Sequence, residues 1–210
     1  MTTVKLVVDY CSYQASKYAV THWHYSKSMP AGKVVKCGVW ECGLFVGVVL
    51  FSRGANQNIG KAYGLSQTGV CELSRVALSK HIAPVSQIIK HSIKLLKKKS
   101  PAMRLIVSYA DLDQSHTGLV YQAGNWAYVG KVQQNGGTPR YKVNGKVLHG
   151  RQVHSLWGKG TQNIDWLRKH KDPKAELVLT KGKYKYLYPL DRAMRKQIMP
   201  LEQQYPRQEI

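Results

Sequence analysis

The sequence predicts an α/β (α+β) protein built on a mixed sheet, and two observations carry that prediction. One stretch in the middle of the chain has apolar residues at helical spacing, and the stretch after it is a continuous apolar run typical of a buried strand. Strand-like and helical stretches also alternate, at 70–78, 84–99, 103–109, 116–123 and 126–132. This alternation predicts a βαβ unit inside the sheet.

The first part of the chain is predicted to be mostly strands. Residues 3–8 are typical of a short strand, and 34–40 and 44–51 of two longer ones. Between them, residues 16–26 form a polar, aromatic-rich segment that contains "HWHYS". The Gly- and Asn-rich residues 54–68 predict a loop.

The clearest helix begins near Pro84, a residue that suits the first helical position. Pro101 is expected to end it before the strand "MRLIVSY". Its apolar stripe consists of Val85, Ile88, Ile89, Ile93 and Leu96.

Beyond residue 132 the pattern predicts additions to this core. Asn144-Gly145 indicates a hairpin, "NIDWLRKH" a helix, and Lys181-Gly182 a second hairpin within 175–190. We expect one domain over 1–210. Its parts are a core at about 3–132, a hairpin and helix insertion at about 138–172, and closing strands with a basic tail at about 175–210.

Charge is the dominant feature of the composition. The 210 residues include 32 Lys+Arg and 11 Asp+Glu, a formal net charge of +21 that is spread along the chain. A folded domain this basic is expected to bind a polyanion, because neutralising phosphates releases counterions. Solubility alone does not require so lopsided a charge. No apolar run approaches 18 residues and no signal peptide is evident, so we expect a soluble intracellular protein.

The four cysteines do not have the spacing of a zinc site. Only Cys37 and Cys42 are close, and no second pair completes a ligand set. Reduced, partly buried thiols in a cytoplasmic compartment are the expectation. The four are Cys11, Cys37, Cys42 and Cys71.

Several long stretches resemble known families. The strand and helix order over 70–132 resembles the core of GNAT acyltransferases. Nearly the whole chain, from about His22 to Pro206, resembles the Mom DNA-modification proteins of Mu-like phages. The stretches that carry this resemblance are "HWHYSKSMPAGK", "CELSRVALSK", "LIVSYADLDQSHTGLVYQAGNWAYVG" and "KYKYLYPLD".

The resemblance implies an enzyme that converts adenine in double-stranded DNA to N6-carbamoylmethyladenine. Such a modification protects phage DNA from host restriction, in the cytoplasm of the infected bacterium. Because N6 is not accessible to this chemistry inside a duplex, the base is expected to be flipped out. Two other functions stay open. One is a non-catalytic basic DNA-binding protein, and the other is a GNAT acyl- or aminoacyltransferase acting on another amine.

The donor is open as well. GNAT proteins bind the pyrophosphate of coenzyme A through a glycine-rich turn before a helix, but "SKHIAPVSQ" has no glycine. Free amides at the start of helix 84–99, with Lys80 and Ser86, could still bind an anion. The donor is therefore acyl-CoA or another activated group such as an aminoacyl-tRNA. Further donor contacts are assigned to Arg75, Ser108 and Asn125, and a structural pair of Arg75 with Glu72 is the alternative for Arg75.

Catalytic candidates come from the two polar clusters. Asp111 follows a buried strand, where ligands gather in open α/β sheets. Histidine can transfer protons near neutral pH, and a phenol can donate to developing charge. The alternatives are structural histidines and helix capping, with capping favoured for Asp113 or Ser115. The candidates are His24, Tyr25, Asp111, His116 and Tyr121.

Two further assignments concern metal and DNA. A carbon–nitrogen bond to a CH₂ group is not ordinary acyl transfer, which makes a redox metal such as iron an option, with His24, Asp111 and His116 as ligands. Aromatic and basic residues are assigned to DNA. They are Trp23, Trp126, Tyr128, Arg140, Lys142, Lys146 and Arg151.

Overall fold

The computed structural model describes residues 5–54, 58–132 and 139–206. The chain divides into two compact units. Unit 1 comprises Met1–Ala110, Gly118–Gly130 and Lys185–Ile210, and unit 2 comprises Asp111–Thr117 and Lys131–Tyr184. Compactness alone does not show that a unit folds independently, so the single domain stays a prediction.

The described part of the chain contains a large sheet of order β1-β2-β3-β4-β5-β10-β6. The first four strands pair antiparallel in succession, and β4 pairs parallel with β5. The mixed sheet and its βαβ unit are therefore confirmed. The strands are β1 Leu6–Tyr10, β2 Val34–Glu41, β3 Leu44–Ser52, β4 Val70–Leu78, β5 Leu105–Asp111, β6 Ala127–Val132 and β10 Lys183–Pro189.

Three helices of unit 1 lie along the chain between these strands, and a fourth follows β10. They are α1 Tyr13–Trp23, α2 Val85–Lys99, α3 Leu119–Gln122 and α6 Arg192–Ile198. Short 3₁₀ turns occur at Lys61–Tyr63, within the predicted loop, and at Met199–Leu201 in the tail. Residues 3, 4 and 55–57 of the predicted strand and loop lie outside the described residues.

Helix α2 confirms its predicted apolar face. Ile88, Ile89, Ile93 and Leu96 are at most 5% exposed. Burial of such side chains contributes roughly 1.5–3 kcal/mol each, more than helix propensity does. Pro84 is the residue that precedes the first turn, one position earlier than predicted.

Unit 2 contains a three-stranded sheet of order β8-β7-β9 in its described part. The predicted hairpin at Asn144-Gly145 is confirmed, since β7 and β8 pair antiparallel around it. The apolar side chains of the sheet and its helices form a separate core that includes Tyr141, Val153 and Leu167. The elements are β7 Arg140–Val143, β8 Lys146–His149, α4 Gly150–Trp157, α5 Ile164–His170 and β9 Glu176–Val178.

The predicted hairpin at Lys181-Gly182 is wrong. Gly182 has a left-handed φ of 83°, as a glycine at a change of chain direction can. However, β9 pairs with β7, and β10 lies between β5 and β6 in the other sheet. Tyr186 and Leu187 are fully buried there. A turn signal specifies a change of chain direction, but it does not specify which strand pairs with the segment after the turn.

Helix α4 was not expected from the sequence. His149 caps it, because its ring Nδ1 accepts a hydrogen bond from the Arg151 N–H and its own N–H donates to Gln152 Oε1. Histidine is not among the residues preferred at this position, which explains why the start of α4 was missed.

Among the helices of residues 5–54, 58–132 and 139–206, none has the length and hydrophobicity that a membrane span requires.

Candidate active site

The candidate site of unit 1 begins where β4 and β5 separate. The two strands pair only from Val70–Leu105 to Glu72–Val107. Just beyond, Ser108 Oγ lies 3.1 Å from the Leu73 carbonyl oxygen and 2.8 Å from Tyr121 Oη. Ser108 is fully buried. Ser108, which was predicted to contact the molecule that donates the transferred group, therefore lies in direct contact with Tyr121, which was predicted to be catalytic.

Tyr121 is held in an apolar and aromatic environment. Its ring lies 5.1 Å from the rings of both Trp126 and Tyr186. Burial raises the pKa of Tyr121 to about 12; the hydrogen bond with Ser108 opposes the increase, and Tyr25, Glu72 and Tyr186 add to it. The phenol is therefore protonated at neutral pH and can donate a hydrogen bond.

The "HWHYS" segment follows α1 and is tied to β4. The Arg75 guanidinium Nε donates to the Ser28 carbonyl oxygen at 3.1 Å. Burial lowers the pKa of Arg75, while Tyr25 and Glu72 raise it. Tyr25 thus interacts electrostatically with both Arg75 and Tyr121. Tyr25 of the first polar cluster and Tyr121 of the second therefore both lie in unit 1 and interact electrostatically.

His24 has a defined orientation. It is 8% exposed, and its Nδ1 accepts from the Ser26 N–H at 3.0 Å and lies 2.8 Å from Ser26 Oγ. The proton of the neutral ring is therefore on Nε2. The ring stacks on Tyr25 at 4.4 Å between centroids, and Tyr25 is half exposed.

A groove of about 630 Å³ lies between the first turns of α2 and the end of α3. This volume is in the range of small-molecule sites. Two predicted donor contacts, Ser86 and Asn125, line it, with Trp126 and Tyr188 as aromatic walls. Lys90 and Arg195 are its cations. The predicted contact Lys80 is exposed in the loop before α2.

Asp111 lies in unit 2 and has structural partners. Its carboxylate Oδ2 is 3.2 Å from Lys183 Nζ and 3.6 Å from Arg140 Nη2. Its Oδ1 accepts from the Asp113 N–H at 3.1 Å and caps the 3₁₀ turn Leu112–Gln114. The helix that Asp113 or Ser115 was predicted to cap, α3, is preceded by Gly118 and has no side-chain cap. The sequence reasoning missed Lys183, because it assigned that residue to a hairpin.

Other predicted residues of unit 2 are less enclosed. The His116 N–H donates to the Asp111 carbonyl oxygen, and the residue is exposed. The guanidinium of Arg140 also lies 3.3 Å from Asp113, and Lys142 lies 3.7 Å from Glu176. Two predicted DNA contacts, Lys146 and Arg151, are exposed.

The predicted stacking residues are largely in the core. Trp126 is 1% exposed and Tyr128 is 7% exposed. Trp23 is half-buried and packs against the cluster formed by Ala19, Val20 and neighbours. These side chains offer little surface to a base, whereas Tyr25 is accessible.

The structure gives no support to the predicted iron site. Its described residues contain no group of three or more His, Cys, Asp or Glu side chains able to hold a metal ion. Of the predicted ligands, His24 belongs to unit 1, and Asp111 and His116 belong to unit 2. The four cysteines are free thiols, of which Cys37 and Cys71 are buried.

Solved structures of other proteins show which fold this chain shares. A protein from Acinetobacter baylyi ADP1 that is named only provisionally as an acetyltransferase matches with a TM-score of 0.50 at 12% identity, over 98% of this chain and 99% of its own. An aminoglycoside 6'-acetyltransferase type Ii matches with a TM-score of 0.48 at 11% identity, over 88% and 97%. The match at a TM-score of 0.50 supports the predicted GNAT-like acyltransferase fold.

A family model then makes the assignment specific. The chain belongs to the Mom protein family, whose model matches residues 5–207. It is 25% identical over 179 residues to the protein named methylcarbamoylase mom of Escherichia phage Mu, which covers 83% of this chain and 71% of that protein. The resemblance to the Mom proteins inferred from the sequence is therefore confirmed.

Proposed function

We propose that this protein is a transferase that attaches a carbamoylmethyl group to N6 of adenine in phage DNA, which protects that DNA from restriction. Family membership and the methylcarbamoylase of phage Mu support the reaction class. The net charge of +21 supports a DNA substrate. The proposed substrate, phage DNA, is in the cytoplasm of the infected host.

One structural observation carries the proposal. Arg75 ties the His24–Ser28 segment to β4, and Tyr25 of this segment interacts electrostatically with Tyr121, whose hydroxyl lies 2.8 Å from Ser108 Oγ. A protein that only bound DNA would not need a protonated, buried phenol that interacts with Tyr25, the stacking partner of an oriented imidazole. Their convergence favours an enzyme over a DNA-binding protein.

The chemistry assigns a role to each group. The N6 amine of adenine is a poor nucleophile, because its lone pair is delocalised into the ring. An enzyme must therefore orient the amine and take its proton. His24 Nδ1 is the proposed proton acceptor, through the Ser26 hydroxyl that lies 2.8 Å from it. Tyr121 donates a hydrogen bond to developing negative charge. Tyr25 is the accessible aromatic surface for a flipped base.

Asp111 and His116 have different proposed roles. Asp111 faces two cations and a backbone N–H, so we assign it to positioning Arg140 and Lys183 in unit 2. His116 remains a candidate for contact with the substrate. The α2–α3 groove is the proposed place for the activated donor.

Mass spectrometry of nucleosides tests the proposal. Plasmid DNA from cells that express the protein should contain a deoxyadenosine heavier by a carbamoylmethyl group. DNA that stays unmodified in the presence of soluble protein, in a host that also supports modification by the phage Mu protein, would contradict the proposal. Retained DNA binding in that case would favour the non-catalytic DNA-binding function.

A further inference from the structure

The loop between β4 and α2, residues 79–84, is bound by a carboxylate of the chain itself. Glu41, at the end of β2, is 6% exposed. Its Oε2 accepts from the Ile82 N–H at 2.8 Å, and its Oε1 accepts from the Ala83 N–H at 2.7 Å. One buried carboxylate therefore occupies two successive amides directly before a helix.

Glu41 is held in place by a tight hairpin. Cys42 has a φ of 49° and Gly43 a φ of 84°, so both residues of the turn between Glu41 and Leu44 are left-handed. Two such residues form the turn type that best fits the twist of paired strands. The Cys42 N–H also donates to the Lys5 carbonyl oxygen. The carboxylate is thus presented from a rigid support.

Ser79 and His81 of the same loop also make hydrogen bonds within the chain. The Ser79 N–H donates to the Val46 carbonyl oxygen at 2.8 Å, and His81 Nδ1 lies 2.8 Å from the Ser79 carbonyl oxygen. Pro84 has no N–H. A phosphate at this position would need free amides and a positive potential. Here the amides of Ile82 and Ala83 already have an anionic partner, so the loop does not fit the pyrophosphate of coenzyme A.

We propose that Glu41 takes the place of a donor phosphate, and that the protein uses a donor that makes no phosphate contact with residues 79–84. This inference rests on the proposed function in one respect, because it concerns the molecule that donates the transferred group. Such a donor is recognised by the α2–α3 groove, through Tyr188 and Lys90. A bound pyrophosphate would have to displace a buried carboxylate and lie beside its charge.

Comparison of coenzyme A with pantetheine tests this in the wild-type protein. Pantetheine lacks the pyrophosphate and the nucleotide but keeps the thiol arm. We expect coenzyme A to bind no more tightly than pantetheine, and the NMR amide signals of Ile82 and Ala83 to stay unchanged at millimolar concentrations of either probe. Coenzyme A that binds at least tenfold more tightly, with shifts at both amides, would overturn the proposal.

A variant tests the contact itself. In the wild-type protein the amides of Ile82 and Ala83 should be protected from hydrogen exchange. Glu41→Gln should speed exchange of at least one of them tenfold or more, because the amide group offers one acceptor in place of two. Glu176→Gln, an exposed acid in unit 2, is the matched control and should leave both rates unchanged.

Unaltered exchange in Glu41→Gln would show that the carboxylate does not hold the loop. None of these readouts depends on DNA modification. A failure to find modified adenine would thus remove the proposed function and leave the result for Glu41 standing.

Discussion

At the scale of single residues, the Tyr121 hydroxyl is the sharpest test of the site. Tyr121→Phe removes the donor but keeps the ring among Trp126 and Tyr186. We expect modified adenine to fall by on the order of 10²–10³-fold, since loss of one hydrogen-bond donor to developing charge costs that much. Stability should change by only about 1 kcal/mol. Nucleoside mass spectrometry and urea unfolding measure the two effects.

Tyr10→Phe is the matched control for this substitution. The Tyr10 hydroxyl donates to the Leu95 carbonyl oxygen at 3.0 Å, so the same chemical change is made elsewhere in unit 1. Modification by the control should equal that of the wild type. Equal modification by Tyr121→Phe and the wild type would exclude the phenol from the reaction.

Asp111 distinguishes a positioning role from a catalytic one. Asp111→Asn keeps a side-chain oxygen that can cap the 3₁₀ turn but removes the charge opposite Lys183 and Arg140. We expect a loss of about 1–3 kcal/mol in unfolding free energy, because a buried charge interaction is broken. Modification per folded molecule should be largely retained. Full stability with abolished modification would instead make Asp111 a catalytic residue.

At the scale of elements, α6 depends on one side chain at its start. Asp191 accepts from the Met194 N–H at 2.7 Å and lies 2.8 Å from Arg104 Nε. The Arg104 hydrogen bond and the Met194 N–H are the main causes that lower the pKa of Asp191 to about 2. Asp191→Ala should cost about 1 kcal/mol through loss of the cap, whereas Asp191→Asn, which can still cap, should cost less.

Urea unfolding near neutral pH and near pH 3 distinguishes the contribution of the helix cap from that of the carboxylate charge. The carboxylate's contribution is present above its unfolded pKa of about 4 and is lost as the pH falls toward 2. The wild type and Asp191→Asn should therefore converge in stability at low pH. A difference that is independent of pH would contradict the ion pair with Arg104.

At the scale of the whole molecule, stability is expected to fall at alkaline pH. Burial is the largest cause that raises the pKa values of Tyr109, Tyr121, Cys37 and Cys71 to about 12. In the unfolded chain these groups lose their protons near pH 8.5–10. The unfolded state then binds fewer protons than the native state, so the free energy of unfolding decreases as the pH rises from about 9 toward 12.

Urea titrations at several pH values under reducing conditions measure this decrease. Cys71→Ala should show a shallower dependence, while Cys42→Ser, at an exposed thiol, should match the wild type. A free energy of unfolding that stays constant to pH 11 would contradict the burial of these groups in the native state.

The sequence by itself determined what depends on local pattern and composition. The apolar stripe of α2, the Asn144-Gly145 turn and the charge of +21 were each readable from neighbouring residues, and long motifs indicated the family. Helical period and turn chemistry are local properties, so they can be predicted without knowing which segments pack against them.

Only the tertiary structure decided which distant residues meet. It joined β10 to β5 and β6, tied the Ser28 carbonyl to Arg75, and set Glu41 against the loop amides of Ile82 and Ala83. It also turned Trp126 inward. Strand partners and side-chain contacts between remote segments depend on how the whole core packs, and no local pattern of residues encodes that choice.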